Sequence, residues 1–429
     1  MIIYNKYPII IFFPTLFLFF LMMFLPQTYQ EIKIVLLFFS LLVGLFFVKA
    51  YYSRKFILWF LIYINFYLIW ILLGLVNNNP GVFDFFRVHF LWSILFLVLI
   101  RYVNSKDIIY YLFKILIITS LIISVYNIYK CLAFINIVPH LFDLNDDFDL
   151  GIYSGFTKIS TLNINTLCFL LPFLMGMIVS EKSFFKKINV SKFFFIVSLI
   201  VCVVLSILSG RKILFLIFIF NFYFLFFYLL FTRRSIFILY KFFVTVTLLS
   251  SVFIILISVF NDQTDLDYNK MATLILEELD PSTNNARNQQ KISLINGFYE
   301  NPIFGTGFGV GVKDAVRNEE RPWIYELSYH LYLYNTGIIG IVVYSLCLIF
   351  PIVWSVYLLK KDYRLYNILL PTIMAYLSVL IANGTNPVIA VSFDFGWMLF
   401  LPIGVLNCLE ITLSKSSIKM KRFQSEGIA

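Results

Sequence analysis

Long apolar blocks, broken by short polar and often basic stretches, run through almost the whole chain. A helix that crosses a bilayer needs about 20 mainly apolar residues. Runs of that kind fall near residues 8–25, 32–50, 56–76, 85–101, 108–128, 161–180, 192–209, 212–231, 241–260, 326–359, 366–382 and 390–410. The pattern predicts about 12 transmembrane helices, and the block after 326 is long enough to include an interfacial turn. The first block follows Lys6 and runs to Leu25. The "PQTYQ" behind it makes a poor cleavage site and a second span follows almost at once, so a retained first helix is expected rather than a removed signal peptide.

Composition sharpens this into a fold class. Of the 429 residues, 61% are hydrophobic and 13% charged, against roughly 45–50% and 25% in soluble domains. No single core hides that much apolar surface from water, so the expectation is an all-α polytopic integral membrane protein embedded in a lipid bilayer. Three regions follow: residues 1–260 with transmembrane helices 1–9, a large loop at 261–325, and residues 326–429 with helices 10–12 and a basic tail.

Charge orients the spans. Lys6, Lys49, Arg54, Lys55, Arg101, Lys106, Lys182, Lys186, Lys187, Lys192, Arg233, Arg234, Lys241, Lys360, Lys361, Arg364 and the Lys415–Arg422 cluster all fall on one side if the N-terminus is inside. The positive-inside rule then puts both termini in the cytoplasm and the 261–325 loop outside. The net charge of +10 is dispersed over these segments, which makes it a topology signal; no nucleic acid partner is expected. Five scattered cysteines and three well-separated histidines show no metal-ligand spacing, and no metal or other cofactor is expected.

Two outer segments are substantial. Residues 129–160 carry Asp143, Asp146, Asp147 and Asp149. Residues 261–325 hold structure signals: in "PSTNNARNQQKISLINGFYENP", capping residues precede apolar positions at Ile292, Ile295 and Phe298 or Tyr299, with a stop at Pro302. On that helix Arg287 and Lys291 share a face. "NPIFGTGFGVG" follows. It lacks the Gly-Lys-Ser/Thr of a P-loop and the spacing of GxGxxG, so Gly305, Gly307 and Gly309 are read as a loop hinge turning the chain back towards the membrane.

The remaining chemistry sits at outer ends of spans. In "SILSGRKILF", Arg211 precedes an apolar helix, where a guanidinium can grip a phosphate bidentately or simply snorkel. In "YELSYHLYLYNTGIIG", Glu326 and His330 are four apart, so one helical face would let the carboxylate orient the imidazole for acid–base work. Arg87 lies three residues from Asp84 inside the fourth span, where an ion pair for helix packing competes with a functional role. Lys291 and Arg321 are further basic candidates in the loop.

Taken together, "SGR" before a span, a loop arginine, "NPIFGTGFG" and a histidine opening the next span with "GIIG" behind it resemble the O-antigen polymerase and O-antigen ligase superfamily. The motifs cover roughly residues 205–345. Arg211 and Arg287 fall where the family has its two arginines, and His330 where ligases have a histidine usually followed by Asn; here Leu331 follows. The resemblance implies a polytopic glycosyltransferase of the bacterial inner membrane with one large periplasmic loop. The donor would be an undecaprenyl-pyrophosphate-linked oligosaccharide and the acceptor a sugar hydroxyl, with no nucleotide sugar or metal. Arg211 and Arg287 would hold the pyrophosphate, and His330, tuned by Glu326, would be the base. A polymerase is the favoured reading, with a chain-length regulator protein as its expected partner; a ligase acting on lipid A–core is the alternative. An oligosaccharide flippase would need a polar midplane site and internal repeats; "IANGTNPVIA" (381–390) is the one break that suits it.

Overall fold

The computed structural model describes residues 8–134, 138–140, 149–153, 156–231, 244, 285–316, 318–387, 389 and 392–426. Apolar helices account for nearly all of them. In chain order these are α1 (Pro8–Phe24), α2 (Gln30–Phe47), α3 (Arg54–Val76), α4 (Val82–Ile100), α5 (Lys106–Phe134), α6 (Leu162–Met177), α7 (Lys182–Ile188), α8 (Lys192–Leu208), α9 (Lys212–Phe231), α10 (Asn285–Glu300), α11 (Ser328–Lys361), α12 (Tyr366–Thr385) and α13 (Phe393–Glu426). A small antiparallel hairpin, β1 (Asp149–Tyr153) with β2 (Phe156–Ser160), precedes α6.

Eight of these helices are long and apolar enough to cross a membrane, nine if α7 and α8 count as one bent span. The expected twelve is therefore not reached among the described residues. The expected ninth span, 241–260, lies almost wholly outside them, as do 261–284 and Asp143, Asp146 and Asp147. Two other expected spans are short. α1 is 17 residues long, Pro8–Phe24, while α6 opens with a 3-10 turn, Leu162–Thr166, leaving an α-helix from Leu167 to Met177.

Every residue of that α-helical part of α6 is buried, and most of α12 is too. The two cross so closely that a Cβ on Gly176 would lie 2.5 Å from the Pro371 backbone. They form the centre, with α2 and α9 at the lipid-facing periphery. Polar contacts tie each end of the bundle. At one end Asn163 Nδ2 donates to the Phe24 carbonyl (3.2 Å) and the Asn79 amide reaches residues 306–308. At the other, Ser53 N donates to Asn407 Oδ1 (2.8 Å), Arg101 to the Val48 carbonyl (3.0 Å) and Glu181 N to Asn367 Oδ1 (3.1 Å). The described lysines and arginines flagged by the sequence pattern gather at this second, basic end.

Backbone groups freed inside the bundle find side-chain partners, as a hydrocarbon surround demands. Pro351 in α11 has no N–H, so the Cys347 carbonyl loses its helical donor. Trp59 Nε1 donates to it instead at 2.9 Å, and Tyr376 Oη donates to the neighbouring Leu348 carbonyl at 2.9 Å. Trp59→Phe would leave that buried carbonyl unpaired, so thermal unfolding should show a loss of about 1–3 kcal/mol; an unchanged midpoint would remove the indole's role.

A second internal tie is ionic. Lys33 of α2 and Asp394 of α13 are both buried and 2.9 Å apart. Lys33 Nζ also donates to the Leu25 carbonyl (2.5 Å), and Asp394 Oδ2 accepts from Gln27 N (2.6 Å) and Gln30 Nε2 (2.9 Å). The α1–α2 turn is thus bound to the start of α13.

The turn expected after 326 is present. α11 breaks at Gly337 (φ +62°, ψ −168°), which separates a short segment, Ser328–Thr336, from the long run that follows.

Candidate functional site

The glycine-rich stretch organises the candidate site, though differently from the hinge expected of it. α10 forms and ends before Pro302, but Leu294 is buried in it while Ile292, expected on its apolar face, is exposed. Gly305, Gly307 and Gly309 then adopt φ of +71°, +79° and +92°, a region that side chains other than glycine's rarely occupy. The chain turns back towards α11, as expected, but it also threads between α3, α4 and α11. Phe308 N donates to the Trp70 carbonyl (3.0 Å), Gly81 N to the Gly309 carbonyl (2.8 Å) and Gly307 N to the Asn335 carbonyl (2.9 Å). The Phe308 ring is fully buried, stacked on Phe85 at 4.8 Å and edge-on to Tyr332 at 5.4 Å. A Cβ on Gly307 would lie 2.4 Å from Gly74 N, and one on Gly309 would lie 2.2 Å from Val82 N. Backbones in that contact cannot swing. The stretch is a clasp, not a hinge.

The clasp carries the segment that follows it into position. Tyr325 is buried, its hydroxyl accepting from Val312 N at 2.7 Å, and burial pushes the phenol up to about 12. Beside it, Glu326 forms an ion pair with Arg287 of α10, and Glu326 N donates to Gln290 Oε1 (3.3 Å). This corrects the expected geometry of Glu326 and His330. Glu326 precedes the first helical residue, Ser328, so the i,i+4 stacking that would aim it at the imidazole does not form. Its carboxylate turns to the α10 arginine instead. His330 is half-buried with Nδ1 lacking a hydrogen-bond partner among the described residues, and the Lys291 ammonium acts on the ring electrostatically. Arg287, Lys291, Glu326 and His330 thus share one corner where α10 meets α11.

Arg211 lies at the same end of the bundle, between α8 and α9. It donates through Nη1 to Asn165 Oδ1 and through Nη2 to the Thr161 carbonyl (3.3 Å). Both partners are neutral, Nε is buried with no partner, and no described carboxylate pairs with this guanidinium. Burial accordingly lowers its pKa from the ordinary value, the sign expected of a cation withdrawn from water without an anion.

The end of α12 touches both groups. Asn386, just beyond it, donates to Asn165 Oδ1 (3.4 Å). Tyr329, the residue before His330, donates to the Leu380 carbonyl (2.6 Å) and packs its ring 3.2 Å from where a Gly384 Cβ would be. Of the secondary candidates, Lys291 shares that corner, while Arg87 and Arg321 stand apart. Arg87 is largely exposed and pairs with Asp84 at 3.2 Å; Arg321 is exposed in the loop.

Asn165, Asn386 and Tyr329 were not singled out from the sequence. The signal for the first was available: "TLNINT" places Thr161, Asn163 and Asn165 at alternate positions on the threshold of an apolar run. His89, in the fourth span, is tightly constrained. It lies buried in a π-helical stretch, Phe86–Leu91, stacked 4.6 Å from Tyr67, with Nε2 3.5 Å from the Tyr332 hydroxyl. Among the described residues no group of three or more His, Cys, Asp or Glu side chains is arranged to hold a metal. No protein-family model matches this chain, and a search of curated proteins by sequence finds no match either.

Proposed function

We propose that this membrane protein polymerises a surface polysaccharide, joining oligosaccharide units carried on undecaprenyl pyrophosphate at the outer face of the bacterial inner membrane. The observation that carries the reading is Arg211. A half-buried guanidinium held only by neutral oxygens is costly unless an anion completes it, and a lipid-linked pyrophosphate supplies one. Arg287 and His330, in the corner across the α12 end, provide the other two groups the chemistry needs.

In this mechanism the acceptor hydroxyl oxygen attacks the anomeric carbon of the donor sugar while the bond from that carbon to the pyrophosphate oxygen breaks. Negative charge grows on the departing undecaprenyl pyrophosphate. Arg211 stabilises it directly, and Arg287 does so on exchanging its Glu326 partner for phosphate oxygens. The hydroxyl proton passes to the imidazole of His330. Glu326 thereby positions Arg287 rather than tuning the histidine.

Purified protein with lipid-linked oligosaccharide and no nucleotide sugar should lengthen the glycan. Arg211→Ala and His330→Ala should each lower the rate by about 10²–10³ at equal protein in the membrane. Unchanged polymer length and amount in His330→Ala would remove the base assignment. Deletion in cells separates polymerase from ligase: single repeat units left on the lipopolysaccharide indicate the former, bare core the latter. A chain-length regulator protein is the partner this reading calls for.

A further inference from the structure

At the basic end the chain makes a right-angled turn that the apolar pattern alone did not predict. α7 and α8 are bent by 89° across three residues. Local chemistry fixes the corner: Asn189 caps α7 in the left-handed region (φ 53°), and Ser191 caps α8 by accepting from Phe194 N at 3.1 Å. Since α8 runs along the bundle, α7 lies across its end, in the plane of a membrane surface.

The two faces of α7 differ sharply. Phe184, Phe185 and Ile188 are buried, with Phe184 edge-on to Tyr110 and Phe113 of α5. The helix is pinned at its start, where Glu181 accepts from the Tyr366 hydroxyl (2.9 Å) and Glu181 N donates to Asn367. Lys182, Lys186 and Lys187 occupy the other face, all exposed, and none forms an ion pair with a described residue. Glu181, the carboxylate that precedes α7, is engaged by Tyr366 and Ser183. Beyond the corner, Phe193 stands 78% exposed beside Lys192, whose ammonium sits 5.2 Å over the Phe185 ring.

Lys186 and Lys187 do complement the C-terminal dipole of α7, but that role needs neither Lys182 nor a rigid in-plane placement. An anchored helix that holds three unpaired lysines level with the headgroups, next to an outward phenylalanine at the hydrocarbon boundary, has the layout of a surface that binds acidic lipids. We infer that the α7 face formed by Lys182, Lys186 and Lys187, with Phe193 as its apolar edge, is a binding surface for the headgroups of anionic phospholipids. It is independent of the proposed catalytic corner, which lies at the opposite end of the bundle.

The test uses the full chain reconstituted in nanodiscs of phosphatidylcholine doped with spin-labelled phosphatidylglycerol or spin-labelled phosphatidylcholine. The wild-type protein should immobilise the acidic lipid in preference, and 0.5 M salt should weaken that preference. K182Q/K186Q/K187Q should reduce it by about tenfold, while the arginine triple K182R/K186R/K187R keeps it. A glutamine triple at the same end that spares α7, K49Q/K360Q/K361Q, should lose much less. If K182Q/K186Q/K187Q retains the wild-type preference, or if the sparing triple loses as much, the surface is not on α7. Because Lys182, Lys186 and Lys187 are exposed and unpaired, unfolding midpoints of the two α7 variants in pure phosphatidylcholine should match the wild type; a drop in K182Q/K186Q/K187Q alone would reassign the lysines to helix stability.

Discussion

Asp394→Ala should be among the most damaging single substitutions in this protein, costing about 3–5 kcal/mol. The carboxylate is fully buried and takes three polar contacts, Lys33 at 2.9 Å, Gln27 N at 2.6 Å and Gln30 Nε2 at 2.9 Å, while Lys33 also reaches the Leu25 carbonyl. Removing it strands the Lys33 ammonium among helices, with a single carbonyl to hold it. The expected measurement is a large fall in the detergent-solubilised unfolding midpoint, with loss of protein from the membrane fraction. The double variant K33M/D394L should recover most of the loss, because replacing both charges removes the stranded ion. If Asp394→Ala unfolds at the wild-type temperature, the pair contributes nothing and the α1–α2 turn is held by packing alone.

Gly307→Ala is expected to be comparably severe for a different reason. Its φ of +79° belongs to the left-handed region, where an L side chain costs roughly 1–2 kcal/mol. The added Cβ would also sit 2.4 Å from Gly74 N and 2.6 Å from Gly74 Cα. Those are backbone atoms of α3, so relief requires moving a helix, and overpacking typically adds about 1–3 kcal/mol. The contact is reciprocal: a Cβ on Gly74 would come 2.3 Å from the Phe308 carbonyl. Gly74→Ala should therefore reproduce much of the defect although its own backbone is ordinary helix. Intramolecular cross-linking of cysteines placed at Asn77 and Thr306, whose contact is 2.9 Å, reads the clasp directly. Efficient cross-linking in Gly307→Ala would show that the clasp tolerates the methyl group.

These two features mark where sequence reasoning ended. The helices themselves were legible because apolar runs report burial in lipid locally, residue by residue. α10 was legible too, since its cap signals and Pro302 stop are properties of neighbours. What one chain's pattern does not encode is which distant polar groups meet. Lys33 and Asp394 are 361 positions apart, and each looks like an ordinary charge at the margin of a span. Glu326 had two bases within reach of a plausible argument, and the sequence spacing favoured His330. The choice of Arg287 depends on α11 starting at Ser328, two residues later than the apolar run suggests. The α7 corner fell between these cases: "KSFFKKI" is visibly two-faced, but its right angle rests on the conformation of Asn189. The glycines were read as a hinge turning the chain, and the α3 backbone they press against was invisible.

The clasp also has a consequence in time. Trp70 Nε1 donates to the Phe304 carbonyl across 234 positions of sequence, and the Trp70 carbonyl waits for Phe308 N. At ordinary synthesis rates of about 5–20 residues per second, that separation corresponds to roughly ten to fifty seconds. During that interval α3 and α4 are already in the membrane with their shared end unclosed, its aromatic slot empty and its asparagines unmatched. Completion of the chain, rather than insertion of each helix, is what seals the first third of the protein. A nascent chain stalled before residue 304 should be open to proteolysis at 77–81, and one that has passed residue 312 should be protected there.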